Sequence, residues 1–361
     1  MLTRPVIHHT ALGKSGGATR VALMLHHGLK SEGHDSRHSF EASENPGDDL
    51  IDPEKSARSV PEGSIVHLHS SADPARFLRA LPANVKTVIT LHDFQMVSGG
   101  CVHPLDCRSF TFGCRECPRA FPNSENVHGE RVAAIMDSKA VLVSPSGWLG
   151  RMARQAVPEA KVKIIPNGVN WPDQPVDKNE IRRELGIHPV SKVMLFVAHG
   201  GMEAAYKSGP QWKDYWKTIK STVPEALCFA IGGRENSREG DFISIPYVDN
   251  PTLNKFLAAA DVLAYPTLCD NHPLIILEAM AQSLVPVSYA VGGVIEQITD
   301  GVNGILIPPY EKQIFTEKIS MLLKNSRLAR KMGSRGFEQG KRKFSSRRML
   351  GDYSKIYYSF V

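Results

Sequence analysis

A strand-then-helix alternation runs through this chain twice, and a proline-bearing segment separates the two runs. The first run opens with a strand at 6–9, a glycine-bearing loop at 11–17, and an amphipathic helix at 18–32 with Val21, Leu25 and Leu29 on one stripe. Short β-branched stretches then predict strands at 64–70, 85–91, 140–144 and 161–165, with helices at 75–81, 128–138 and 147–156 between them. Pro172 and Pro175 mark a linker over 171–177. Beyond it the pattern restarts, with strands expected at 192–198, 226–231, 243–247 and 262–265 and helices at 178–185, 211–220 and 253–259. Repeated β/α units imply parallel sheets covered by helices, so the fold class is α/β with two Rossmann-like domains and ligands held between them. The polar stretch 40–63 shows little periodicity and is expected to be an unstructured, mobile or functional loop.

A chain of 361 residues exceeds one ordinary core, which agrees with two domains. The apolar share of 42% and charged share of 22% belong to a soluble globular protein. No run approaches the roughly 18 apolar residues a membrane span needs, and the first residues reach histidines and glycines too early for a signal peptide. The expected compartment is the cytoplasm. A net charge of +6 permits an anionic partner without demanding one.

The chemistry concentrates at 265–288, YPTLCDNHPLIILEAMAQSLVPVS. A strand ends at Pro266, a polar elbow carries Asp270, Asn271 and His272, and a helix opens around Pro273 with Glu278 in its second turn. The backbone N–H groups of Leu274, Ile275 and Ile276 are expected to be free and to suit a phosphate, because a helix N-terminus carries roughly +0.5 charge. Ionised Asp270 and Glu278 accept hydrogen bonds only and suit hydroxyls. Phosphates and hydroxyls in one site describe a nucleotide-sugar, although Asp and Asn at a helix start also serve simply as caps. In the first run, His67, His69, His92 and Asp93 lie near carboxyl ends of strands, where open α/β sheets hold ligands. Gly16 and Gly17 permit either a tight turn or close approach of a ligand.

Four of the six cysteines, Cys101, Cys107, Cys114 and Cys117, fall within one loop at 99–118. In a cytoplasmic protein such clustering argues for metal, and Cys114-x2-Cys117 has the spacing of a zinc half-site. Four thiolates would close the shell, so this zinc would order the loop rather than do chemistry. Free thiols or disulfides are the alternatives, and His103 is a substitute ligand.

The run D-x7-E from Asp270 to Glu278, followed by AMA, PVSYAVGG and DGVNGILIPP, resembles the C-terminal signature of retaining glycosyltransferases of family 4, which have the GT-B fold. Resemblance extends over nearly the whole chain, through the S-x-W and PNGV segments near 146–169 and a GGC…C…C-x2-C-P insertion after an LHD strand. It implies an acceptor-side N-terminal domain at 1–170, a nucleotide-sugar domain at 171–344, and a final helix at 345–361 crossing back to the first. Implied roles follow. Glu278 holds the nucleoside ribose, Asp270 the donor sugar, and Lys207 the diphosphate together with the amides of Leu274, Ile275 and Ile276. His92 lies near donor sugar and acceptor, Gly16 and Gly17 line the cleft, and Asn271 and His272 complete the elbow.

Two positions depart from the family pattern. Asp270 stands where Glu is usual, and His199 or Gly200 stands where an Arg is expected, so Arg234 is a candidate to take over part of that role. The implied reaction is transfer of a hexose-type sugar from a UDP- or GDP-sugar to a saccharide or lipid-linked saccharide, with retention and without a catalytic metal or other cofactor, in surface-glycan assembly. A non-catalytic sugar-nucleotide binder and a sugar-nucleotide epimerase are the alternatives from other classes. Between Lys324 and Arg348 ten cations face one acid, Glu338. This block is either a solvated helix face or a peripheral contact with anionic membrane at its inner face; without interleaved aromatics it does not read as a nucleic-acid site.

Overall fold

The structure, a computed structural model, describes residues 2–360. It divides into two compact units: the chain through Gly168 with the segment from Ser346, and Val169–Ser345.

In the first unit the chain forms β1 (Val6–Leu12), α1 (Gly17–Ser31), β2 (Ser36–Ala42), α2 (Pro53–Arg58), β3 (Ile65–Leu68), α3 (Pro74–Arg79), β4 (Lys86–Thr90), α4 (Ser124–Asp137), β5 (Val141–Ser144), α5 (Gly147–Ala156) and β6 (Lys161–Ile164). Its six strands make a parallel sheet in the order β2-β1-β3-β4-β5-β6. Side chains alternate across a strand, so each face has its own chemistry. One face gives Ile7, Val66, Leu68, Ile89 and Leu142 to an apolar core closed by Phe77 and Leu149. On the other, His8 is in register with His38 of β2 and His67 of β3.

The second unit runs α6 (Lys178–Glu184), β7 (Lys192–Val197), α7 (Trp212–Thr222), β8 (Ala226–Gly233), β9 (Ser237–Glu239), β10 (Phe242–Pro246), α8 (Asn250–Ala259), β11 (Val262–Tyr265), α9 (Leu274–Ala281), β12 (Val285–Tyr289), α10 (Val294–Gln297), β13 (Ile305–Ile307), α11 (Lys312–Lys324) and α12 (Ser326–Phe344). Seven strands order as β13-β12-β11-β7-β8-β10-β9, with apolar cores on both faces. Helix α13 (Ser346–Tyr358) belongs to the first unit. There the hydroxyl of Tyr353 bonds Thr90 and that of Tyr357 bonds His67, each at 2.7 Å.

The loop expected over 40–63 is not unstructured. It contains the end of β2 and all of α2. Asp52 starts α2 by accepting from the N–H groups of Glu54 and Lys55, and Pro53 sits where its missing N–H costs nothing. Strand β2 is polar in sequence because its buried Glu41 finds donors: Ser71 Oγ at 2.5 Å and the Ala72 N–H at 2.7 Å. A second difference is β9, a three-residue antiparallel edge beside β10 with no apolar pattern to announce it.

The basic tail forms α12, whose Met332, Gly333, Phe337 and Phe344 are buried while Arg327, Arg330, Lys331, Arg335, Arg342 and Lys343 are exposed. Among the described residues no helix is long and apolar enough to cross a membrane.

Candidate active site

Each sheet has a switch point where strand order reverses, between β1 and β3 in the first unit and between β7 and β11 in the second. Loops leaving the carboxyl ends of such strands form crevices that suit ligands. In the second unit the loop after β7 carries Lys207 and the loop after β11 carries Asp270. The structure joins these two as an ion pair, with side chains 23% and 17% exposed. Asp270 Oδ2 also accepts from Tyr265 Oη at 2.7 Å and Thr267 Oγ1 at 2.8 Å, while the Lys207 ammonium lies 5.3 Å from the centre of the Tyr265 ring. Lys207 and Asp270, assigned separately to diphosphate and sugar from sequence, thus partner each other. Two backbone links brace the loops: the Leu268 N–H donates to Tyr206 O at 2.7 Å, and Ser208 Oγ to Pro266 O at 2.7 Å. A third close approach is set by Gly292, at φ 53°, where a β-carbon would stand 2.0 Å from the Asp270 carbonyl oxygen.

Helix α9 begins after Pro273 with no side-chain cap and no acid in its first turn, which leaves the Leu274, Ile275 and Ile276 N–H groups without an intrahelical acceptor. Glu278 lies in the next turn, only 6% exposed in a helix otherwise made of apolar residues and alanine. Burial first, then the charges of Asp270, Cys269 and Glu278, drives the Tyr265 hydroxyl well above its ordinary pKa. Asn271 and His272 are buried, and Gln297 Nε2 lies 3.0 Å from His272 Nδ1 and donates to Pro273 O at 3.0 Å. Both therefore build the elbow from within.

Arg234 follows the β8 end, which packs on the loop after β7: a β-carbon at Gly201 would stand 2.6 Å from the Gly233 Cα. The Arg234 side chain is 82% exposed and pairs at 3.0 Å with the exposed Glu203. His199 is exposed, its ring edge-on to Tyr247.

In the first unit Gly16 and Gly17 open α1 at an exposed, uncapped N-terminus, with nothing within 4 Å of where a β-carbon would stand. Gly16 adopts φ 90°, which only glycine takes readily. The preceding loop is tied down by Glu44, which accepts from the N–H groups of Lys14 and Ser15 at 2.6 and 2.9 Å. His92 follows β4 and is half-buried; desolvation takes its pKa down to about 4. Its Nε2 lies 3.0 Å from His69 Nδ1, and His69 Nε2 lies 3.2 Å from His8 Nδ1. Sequence reading did not include His8, because only the register of β1 against β3 brings it to this row. A short-range signal existed in HLH at 67–69, but its partner is 59 residues upstream.

Among the described residues, the groups of three or more His, Cys, Asp or Glu ligand atoms within 4.8 Å of one another reduce to His8, His67 and His69. Both ring nitrogens of His67 already meet hydroxyls at 2.7 Å, those of Tyr357 and Thr90. The four thiols of the cysteine loop are free and are not gathered to that spacing. Cys101 and Cys114 are buried; the Gly99 N–H donates to Cys114 Sγ at 3.1 Å and the Ser109 N–H to Cys107 Sγ at 3.4 Å.

Residues 177–339 match the family model of glycosyl transferases group 1. They lie within the second unit and contain Lys207, Asp270 and Glu278. The chain is 31% identical over 224 residues to N-acetyl-alpha-D-glucosaminyl L-malate synthase of Bacillus anthracis, covering 55% of each protein. Sucrose-phosphate synthase from Thermosynechococcus elongatus superimposes with a TM-score of 0.73 at 15% identity, covering 99% of this chain and 98% of that one. Anabaena HepE in complex with UDP-glucose gives 0.70 at 16% identity, covering 98% and 99%. The fold is that of GT-B glycosyltransferases, with parallel sheets in two Rossmann-like domains, and the family match and relatives support a place in group 1. This chain spans about half the length of the curated relatives it matches, between 42% and 55% of the first of them.

Proposed function

We propose that this protein is a retaining glycosyltransferase that moves a hexose-type sugar from a UDP- or GDP-sugar to a saccharide or lipid-linked saccharide in surface-glycan assembly. The observation that carries it is the Lys207–Asp270 ion pair between the loops after β7 and β11 at the switch point, with the uncapped N-terminus of α9 and the buried Glu278 following Asp270 in the same strand-to-helix segment. That set matches a nucleotide-sugar part by part: Lys207 and the α9 amides for the diphosphate, Glu278 for the ribose, Asp270 for sugar hydroxyls. A diphosphate entering beside α9 offers Lys207 more negative charge than Asp270 does, which frees the Asp270 oxygens to accept from the sugar. Stabilising charge on the leaving diphosphate is then the main catalytic contribution of these residues, and no metal is needed for it. The bond from the anomeric carbon to the diphosphate oxygen breaks, the acceptor oxygen bonds that carbon on the same face, and the acceptor proton passes to the departing phosphate. His92 is proposed to contact the transferred sugar. HepE, solved with UDP-glucose, is a precedent for the donor class.

Calorimetry against UDP-, GDP- and ADP-sugars, then transfer and hydrolysis assays with the best binder, tests the reading. One nucleotide-sugar is expected to bind at micromolar level and to turn over; binding of none would overturn it. The exposed cations of α12, each contributing on the order of 1 kcal/mol near an anionic surface, are the basis for proposing a cytoplasmic enzyme working at the inner face of a membrane.

A structural zinc in the cysteine loop belongs to the same proposal. Desolvation raises the Cys117 thiol, but the neighbouring backbone N–H groups of Phe121 and Arg119, the Ser124 hydroxyl and the Arg119 charge outweigh it and hold the thiol below the usual value. Leu105, Cys114, Glu116, Ala120 and Asn123 all take positive φ. Strain of that kind, roughly 1–3 kcal/mol at each such position, persists only where surroundings impose it. Metal bound by four thiolates would draw the sulfurs together and impose it. Purified protein is expected to contain about one zinc per chain and to lose thermal stability on its removal; metal-free protein with an unchanged melting temperature would refute this.

A further inference from the structure

The first turns of α4 turn a stripe of side chains toward the cysteine loop and the turn leading into it, and one of them ends in a buried atom with nothing to bind. Ser124, His128 and Arg131 recur at the i, i+4, i+7 spacing of one helix face. Ser124 Oγ donates to Cys114 O at 2.9 Å, and a β-carbon at Gly99 would stand 2.2 Å from the Ser124 carbonyl oxygen. Arg131 Nη1 donates to Gln95 O at 2.7 Å and to Ser98 O at 2.9 Å. His128 lies between these two contacts. It is 6% exposed, and its Nε2 is buried without a hydrogen-bond partner.

The segment under that face is wrapped around sulfur. The Gly99 N–H donates to Cys114 Sγ at 3.1 Å and Ser98 Oγ to Cys101 O at 2.9 Å, and Cys101 and Cys114 are both buried. Arg131 brings a positive charge to the same segment: desolvation lowers its pKa, and the charges of Asp73, Asp93, Cys101 and Cys114 act to raise it. A divalent ion held by four thiolates leaves surplus negative charge on the sulfurs, which N–H donors and a cation relieve. Metal-bound thiolates carry no proton, so they only accept hydrogen bonds. An N–H on His128 Nε2 is the matching donor, and the bond would satisfy a group that is otherwise costly to bury. His103, inside the loop, is committed elsewhere: its Nδ1 accepts from the Leu105 N–H at 3.2 Å and its ring stacks on Trp148.

We infer that His128 braces the metal site of the cysteine loop, donating its Nε2–H to a metal-bound cysteine sulfur, with Arg131 supplying positive charge beside it. His128 is a positioning residue and not a ligand, so the four thiolates remain the complete set. Arg131 also holds the Gln95 and Ser98 carbonyls that follow His92 and Asp93, which links the surroundings of the metal to the chain leaving β4. This role rests on the structural zinc proposed above.

Zinc affinity of the full chain, measured by competition with a chromophoric chelator, tests it. His128→Leu fills the site but has no donor, and is expected to bind zinc about 10- to 100-fold more weakly than wild type. His128→Gln sets an N–H near the lost Nε2 and is expected to stay within about threefold. Equal losses in the two variants would overturn the inference, because packing and not the donor would then matter. Cobalt in place of zinc reports the ligand set through its visible bands. Wild type and His128→Leu are expected to share one tetrahedral four-sulfur spectrum; a changed spectrum in His128→Leu would make His128 a ligand and overturn its role as a donor. Two-bond nitrogen–proton spectra of zinc-loaded protein with 15N-labelled histidine are expected to show His128, assigned by loss of its peaks in His128→Gln, protonated at Nε2. A bare Nε2 would overturn the inference. Protein that takes up no zinc refutes the structural zinc and this role together, whereas zinc held by His128→Leu with wild-type affinity refutes the role alone.

Discussion

At the scale of single residues, Glu278 carries the sharpest consequence. A carboxylate 6% exposed among apolar helix neighbours is costly to keep unless it serves a ligand or a buried donor. If it grips two ribose hydroxyls, Glu278→Gln removes the charge while keeping the volume. Charge-assisted hydrogen bonds of about 1.5–3 kcal/mol translate into a loss of nucleotide affinity of about 10- to 150-fold. Calorimetry checks the affinity and an unchanged urea midpoint checks the fold; affinity within twofold of wild type would remove Glu278 from the site. Asp270, Lys207 and Glu278 are candidates from the sequence through the family resemblance, since D-x7-E spacing alone reads equally as a helix cap. The pairing of Lys207 with Asp270 is not legible there. Lys207 and Asp270 are 63 positions apart and meet only because β7 and β11 are neighbours in the sheet. Arg234, placed after Gly232-Gly233, has an exposed side chain paired with Glu203 of the loop after β7, a partner that its sequence position did not reveal.

At the scale of elements, the strongly apolar strands and long helices could be read directly because periods of 2 and 3.6 recur in the text. Elements held by specific polar partners could not, and β2 and α2 are the cases in point: Glu41 and Asp52 look like loop residues until their donors are in place. Helix α12 shows how close packing is written in glycine. A β-carbon at Gly333 would stand 1.9 Å from the backbone oxygen of Ser283, so the helix approaches the turn before β12 at backbone distance. Gly333→Ala must push that helix away and is expected to cost about 1–3 kcal/mol in urea unfolding. Gly129 of α4, exposed and with nothing within 4 Å, has no such constraint. Gly129→Ala is expected to stabilise by about 0.5–1 kcal/mol through helix propensity alone. Equal effects of the two substitutions would mean that α12 does not pack as described.

At the scale of the whole molecule, the histidine-lined face makes the two units respond differently to acid. A set of histidines with lowered pKa, including His8 at about 3 and His38 at about 4, lies in the first unit. Burial is the largest cause throughout, so these rings are neutral in the folded state while the unfolded chain titrates them near 6.5. Between about pH 6.5 and the folded values the unfolded state binds more protons, and stability therefore rises with pH across that window and is lost as pH falls through it. Each fully engaged histidine contributes a slope of about 1.4 kcal/mol per pH unit. In the second unit the half-buried acid Asp261 is lowered, despite desolvation, by Lys178 and Arg182, and loses its contribution only below the ordinary carboxylate range. Urea unfolding followed by tryptophan fluorescence is informative here because Trp148 reports on the first unit and Trp171, Trp212 and Trp216 on the second. Removing Trp148 in Trp148→Phe leaves only the second unit visible, and backbone circular dichroism sees both. At pH 7.5 the two signals are expected to give closely spaced midpoints. At pH 5.5 the circular dichroism curve should split, its early phase absent from the Trp148→Phe fluorescence, since the first unit is destabilised and the second is not. Curves that shift together at every pH would mean either that the units unfold as one body or that the imidazole row is charged in the folded protein, and His8→Leu separates these, because only in the second case does it leave the pH slope unchanged.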